Sequence, residues 1–200
     1  MKTVVMNVIN AYQHGNLFKE VLKLRYKMFV EKEGWPMPNL DGCEFDQYDT
    51  GYAWHFATVN DNGKLCASAR IGPTNKRVGN NSYMIKDAIS GLLDGIPSNI
   101  LTEAPPQSDK VYEATRFTLN PDCEQEELKS AQHNLLQSMC EYGQRNGIEE
   151  YIGLMPRTYY RSFRNMGFEI VEIGPRLIID GRSAAVAVMP SHSNAMALAS

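Results

Sequence analysis

Apolar residues recur at helical spacing from Leu17 to Val30. Leu17, Val21, Leu24 and Met28 step by four, three and four residues along one face, and Phe18, Leu22, Arg25 and Phe29 form a second stripe beside it. Gly34, Trp35, Pro36, Met37 and Pro38 end this helix, because proline cannot continue it. Glu33 to Gly51 reads as a long connection, of the kind that is usually functional or mobile. Tyr52 to Asn60 and Lys64 to Ile71 read as strands joined at Asp61-Asn62-Gly63, residues that tolerate positive φ. Met84 to Leu93 reads as a short helix, Ile96 to Lys110 as loop, and Val111 to Leu119 as a strand. Asn120-Pro121-Asp122 opens a long helix to about Arg145, with Glu124, Glu126 and Glu127 in its first turn, where the macrodipole favours anions. Leu128, Ala131, Leu135, Met139 and Tyr142 form its buried stripe, and Gly147 caps its end. A strand Tyr151 to Met155, a helix Thr158 to Met166 ended by Gly167, and a strand Phe168 to Ile173 follow. Ile178 to Asp180 and Ser183 to Met189 form a last hairpin, and the small, polar tail after Pro190 (191–200) is expected to fray. Hairpins mixed with strand–helix–strand crossovers imply an α/β fold, a three-layer α-β-α sandwich with a mixed twisted sheet.

Composition narrows the classes. Of 200 residues, 43% are hydrophobic and 22% charged, which suits one globular domain over 1–200 and excludes disordered and collagen-like chains. No apolar run is long enough to span a membrane, and Met1 to Asn10 lacks a secretory signal. A net charge of −3 argues against a nucleic-acid partner. Cys43, Cys66, Cys123 and Cys140 form no C-x-x-C pair and no histidine falls at zinc-finger spacing, so reduced thiols, no metal and a cytoplasmic location are expected.

Several polar residues strain a purely structural reading. Arg25 shares a stripe with Phe29, so its head must pair with an anion or snorkel out. Glu44, Asp46 and Asp49 crowd three carboxylates into six residues, which repel unless cations or N–H groups hold them. Arg70, at the end of its strand, shares a face with Cys66 and Ser68 and could be that cation. Glu113 and Arg116 are three apart, so a regular strand sends them to opposite faces; a shared role requires a bulge. Arg157, Arg161 and Arg164 make one basic helix face in an acidic chain, which suits an acidic protein partner or is simply solvated.

Together these residues resemble the acyl-homoserine-lactone synthases, the bacterial autoinducer synthases of quorum sensing. The ordered set is Arg25, Phe29, Trp35, Asp46, Asp49, Arg70, Glu113 and Arg116, with Met166-Gly167-Phe168 and Gly174-Pro175 also fitting the family's C-terminal half. The resemblance implies an N-acetyltransferase-like fold and a two-step reaction. Acyl carrier protein delivers a fatty acyl thioester, the α-amine of S-adenosylmethionine attacks it, and the carboxylate then closes the lactone and releases methylthioadenosine. S-adenosylmethionine is a substrate, so no cofactor is expected. Arg25, Phe29 and Trp35 would line its pocket. Asp46, Asp49, Arg70 and Arg116 would form an ion cluster folding the loop over it, and Glu113 would be the base, directly or through water. A different N-acyltransferase of the same fold, making N-acyl amino acids, is the alternative.

Two departures carry expectations of their own. Coenzyme A-dependent acetyltransferases cradle pyrophosphate in a glycine-rich turn, but here that place reads Asn120-Pro121-Asp122-Cys123-Glu124-Gln125-Glu126-Glu127. This favours a carrier-protein donor docking at Arg157, Arg161 and Arg164. Gly153 stands where several relatives that use 3-oxoacyl chains have threonine, so an acyl chain without 3-oxo substitution is expected. Met139, Gly153, Met155 and Phe163 are the candidate acyl pocket.

Overall fold

A computed structural model describes residues 1–193, which form two compact units. The first holds Met1–Ile71 and Arg116–Leu136, the second Gly72–Thr115 and the described residues from Gln137 onward.

In the first unit the strands β1 (Lys2–Met6), β4 (Trp54–Val59), β5 (Leu65–Pro73) and the second half of β6 (Val111–Leu119) lie side by side in that order. β1 pairs β4 and β4 pairs β5, both antiparallel. Helix α1 (Leu17–Arg25) lays Val21 and Leu24 against Met6, Ala57 and Leu65. Met28 joins the edge of that cluster, so the apolar stripe read from the sequence is the packed one. The turns then widen. Tyr26–Lys32 is π-helical, and the Glu33 N–H reaches the Met28 carbonyl five residues back at 3.2 Å. Such wide turns occur often at functional sites. Inside the long connection, β2 (Asn39–Leu40) and β3 (Cys43–Glu44) form a small hairpin. Its turn, Asp41-Gly42, has φ of 51° and 70°, the two positive values of a primed two-residue turn.

In the second unit the first half of β6 lies beside β7 (Glu150–Pro156), then β10 (Arg182–Pro190), then β8 (Val171–Glu172), with β9 (Leu177–Ile179) also on β10. β6 and β7 are parallel and the β10 pairings antiparallel, so the sheet is mixed. Helix α2 (Met84–Ile89) packs Ile85 and Ala88 with Ile100, Val111, Ile152 and Val186. Tyr151, which alternation turns to the opposite face from Ile152, donates its hydroxyl to the Met139 carbonyl of helix α3 (Gln125–Asn146) at 2.7 Å. Helix α4 (Arg157–Asn165) packs on that same face through Tyr160. This is the expected layering of helix, sheet and helix.

Some elements differ from expectation. β1 has no counterpart among the elements read from the sequence, because five residues give too little alternation. α2 stops at Ile89, four residues early; Gly91, at φ 73°, turns the chain, and Leu92 bonds back to Asp87. Of Phe168 to Ile173 only Val171–Glu172 is strand. Ser191 and Ser193 lie in the tail expected to fray, yet both are buried. Ser191 donates to the Ile148 carbonyl at 2.6 Å, and Ser193 accepts the Glu169 N–H at 2.7 Å. Residues 194–200 of that tail lie outside the described residues.

Candidate active site

The first unit gathers the expected charged residues into one buried cluster. Arg25 ends α1 with its side chain fully enclosed, so it pairs with anions and does not snorkel. Its Nη1 and Nη2 donate to the two oxygens of Asp49 at 2.8 and 2.9 Å, and its Nε donates to Glu44 at 2.5 Å. Arg70, on β5, donates from Nη1 to Asp46 and Asp49 at 2.6 and 2.8 Å. Arg116, on β6, reaches Asp46 at 2.6 Å and Glu44 at 3.2 Å through Nη2. The Asp49 carboxylate also accepts the Asp46 N–H at 2.8 Å. Three guanidiniums thus face three carboxylates, all buried. Burial alone would raise the Asp46 and Asp49 carboxyls, but the guanidiniums, Arg70 foremost, outweigh it and hold both below their usual range.

The aromatic residues flank this cluster. Phe29 and Trp35 stack with centroids 5.3 Å apart and planes 10° from parallel. The Trp35 N–H donates to the Phe29 carbonyl at 2.9 Å, which the π-helical turn brings within reach. The Arg116 guanidinium sits 5.3 Å over the Phe29 ring, and Arg70 lies 5.7 Å over Tyr48.

Strand β6 breaks its alternation between Glu113 and Arg116. Arg116 has φ 54°, a left-handed conformation that costs an L-residue about 1–2 kcal/mol. Burial along the strand alternates through Glu113, slips over Ala114 and Thr115, and resumes at Arg116. Both Glu113 and Arg116 are therefore buried, at 5% and 8% exposure.

Glu113 belongs to the second unit. Its two oxygens accept the Met84 and Ile85 N–H groups at 2.9 and 2.7 Å, capping α2, whose own first residues offer no side-chain cap. Met139, Gly153, Met155 and Phe163 also lie here. Met139, Gly153 and Phe163 are buried and Met155 half-buried. A Cβ at Gly153 would meet the Ala114 carbonyl oxygen at 3.0 Å and the Met155 terminal methyl at 3.7 Å. The basic face on α4 is partly neutralised. Glu172 binds Arg157 at 3.0 Å, Arg164 at 3.5 Å and Arg176 at 3.2 Å, while Arg161 is exposed.

Sequence reasoning placed Glu44 in the acidic run but not in the site, and missed His55. Glu44 is delivered by the β2–β3 hairpin, for which Asp41-Gly42 is a readable signal. His55, on β4, has Nε2 3.4 Å from Asp49. Burial, with Arg25 and Arg70 opposing a further positive charge, pushes its pKa down to about 3. Its partner lies in the connection, where strand alternation gives no hint of contact.

A family model described as autoinducer synthase matches residues 9–197. The chain belongs to the autoinducer synthase family. Its activity is that of an acyl-homoserine-lactone synthase, an acyltransferase. The acyl-homoserine-lactone synthase of Ralstonia solanacearum is 30% identical over 163 residues, which cover 79% of this chain and 74% of the relative. Among solved structures, TofI in a ternary complex with an inhibitor and MTA has a TM-score of 0.74 and 25% identity, covering 98% and 95% of the two chains. BjaI, a CoA-dependent acyl-homoserine lactone synthase solved with SAM and isopentyl-CoA, shares the fold at a TM-score of 0.75 and 16% identity, over 94% and 82%. N-acyltransferases outside the autoinducer synthases share the fold at TM-scores of 0.57 and 0.55. Among the described residues no helix is long and apolar enough to cross a membrane, and no cluster of metal-ligating side chains is present.

Proposed function

We propose that this synthase takes a fatty acyl group from acyl carrier protein, in the cytoplasm, and places it on the α-amine of S-adenosylmethionine. The substrate carboxylate then displaces methylthioadenosine at the γ-carbon and closes the lactone. The observation that carries this reading is the buried cluster of Arg25, Arg70 and Arg116 with Glu44, Asp46 and Asp49. It fixes the connection that holds Trp35, which stacks on Phe29. Phe29 already carries Arg116, so Trp35 is the ring assigned to the sulfonium, a cation that an aromatic face attracts.

The α-amine has a pKa near 8, so about a tenth is free base at pH 7, and deprotonation costs about 1.4 kcal/mol. Holding a nucleophile against its electrophile contributes about 7–11 kcal/mol. Orientation therefore dominates, and Glu113 is a base of secondary weight, acting directly or through water. Its two oxygens accept the Met84 and Ile85 amides of α2, which fix the carboxylate in place.

A carrier-protein donor is favoured over coenzyme A by the start of α3. Asn120 to Glu127 has no glycine, and Asp122 and Glu127 are engaged by Lys27 and Asn60. The α4 face with Arg161 at its exposed centre is the dock, Arg157 and Arg164 being shared with Glu172. Met139, Gly153, Met155 and Phe163 line the acyl chain, and Gly153 offers no hydroxyl to a 3-oxo group.

Mass spectrometry of organic extracts from culture medium tests the proposal, comparing cells expressing this chain with cells expressing Glu113→Gln. A lactone without 3-oxo substitution, reduced in the variant, is expected. A 3-oxoacyl product overturns the Gly153 reading, and N-acyl amino acids in place of lactones overturn the substrate assignment.

A further inference from the structure

We propose that Tyr160 is a positioning residue for the acyl donor, a strut from α4 that holds β7 on β10 where β7 parts from β6. This rests on the donor reading above. The β6–β7 ladder pairs Val111, Tyr112 and Glu113 with Glu150, Tyr151 and Ile152, and extends no further among the described residues. Gly153 is the first residue of β7 beyond it. From there the strand is paired through β10, with Gly153 opposite Ala187 and Met155 opposite Ala185.

Tyr160 enters that pairing. The residue is 3% exposed. Its hydroxyl lies 2.7 Å from the Gly153 carbonyl and 2.7 Å from the Ala185 carbonyl, and it accepts the Met155 N–H at 3.2 Å. A phenol has one proton to give, so the two carbonyls share it in turn. The reach is possible because Gly153, Ala185 and Ala187 stand on the face of the sheet toward α4, a floor of small residues that lets a ring approach backbone. A tyrosine that only filled this volume would leave its oxygen without partners, at a cost. Instead the oxygen is bound to both strands at the level where the β6–β7 ladder ends. Gly153 and Met155, the two residues it holds, are also the two β7 members of the proposed acyl pocket.

The test is steady-state kinetics of Tyr160→Phe with acyl-carrier-protein thioester and S-adenosylmethionine varied separately. The donor KM is expected to rise about tenfold, the worth of one ordinary hydrogen bond, with the S-adenosylmethionine KM and the circular dichroism spectrum unchanged. Ala185→Val keeps the hydroxyl but narrows its approach, and should move the donor KM in the same direction. Thr158→Ala, exposed on α4, should leave both constants alone. Equal changes in both KM values tracking a lowered Tm, or an unchanged donor KM in both variants, would overturn the strut. A wild-type enzyme that uses no acyl thioester at all would instead remove the donor reading and the strut with it.

Discussion

Replacing Asp49 with asparagine strikes the centre of the ion cluster. The Asp49 carboxylate accepts Arg25 at 2.8 and 2.9 Å, Arg70 at 2.8 Å and the Asp46 N–H at 2.8 Å. Asparagine keeps the volume, but it leaves three buried guanidiniums against two carboxylates and turns an NH2 group toward donors. Removing one partner from such a cluster costs about 3–5 kcal/mol. At about 2–4 °C per kcal/mol for a chain of this size, Tm should fall by about 10 °C. Scanning calorimetry at neutral pH measures the fall, and 0.5 M salt should not erase it, because buried pairs are poorly screened. The S-adenosylmethionine KM should rise in parallel, since the same groups hold the connection bearing Trp35. Asp49→Asn combined with Arg70→Gln should recover part of the loss by removing the unmatched charge. A Tm within 2 °C of wild type would refute the reasoning, as would a loss that the double variant merely adds to.

Acid should act on the same cluster. The folded pKa of His55, about 3, is below its ordinary 6.5, so its contribution is complete above pH 6.5 and is lost as the pH falls toward 3, at up to about 1.4 kcal/mol per unit. Asp46 and Asp49, also depressed, add a loss of the same sign below their usual range. Denaturant midpoints at pH 7.5, 6 and 5 should decline in the wild type and flatten in His55→Gln; equal slopes would remove His55 from the account. Gly174→Ala would put a Cβ 2.2 Å from the Ile100 carbonyl oxygen, and urea titration should find a loss of about 1–3 kcal/mol.

Much of this was legible where local pattern and tertiary packing agree. Val21 and Leu24 lie on the face that periodicity gave them, and the turn at Gly63 falls where glycine is needed. Arg116 was legible by contradiction: burying two residues three apart on one strand demands a break in alternation, and φ 54° at Arg116 supplies it. What stayed hidden depends on partners distant in sequence. Glu172 draws in two of the three α4 arginines from a strand of two residues that no pattern announces. Ser191 and Ser193 resemble a loose tail until the carbonyl of Ile148 and the amide of Glu169 are seen to bind them. Nothing along the chain signals that α2 hangs its first amides on Glu113.

The charge balance of the cluster also bears on how this enzyme can be changed by mutation. With three positive and three negative side chains sharing oxygens, no single substitution that removes or reverses a charge at Arg25, Glu44, Asp46, Asp49, Arg70 or Arg116 preserves neutrality. A reversed pair needs two simultaneous changes, and each intermediate leaves a buried ion unmatched. Random drift one residue at a time is thus walled off from alternatives that would themselves be stable. Directed evolution toward new signal molecules should therefore find its viable steps among the uncharged positions around Gly153 and Met155, with the six charges inherited as a block.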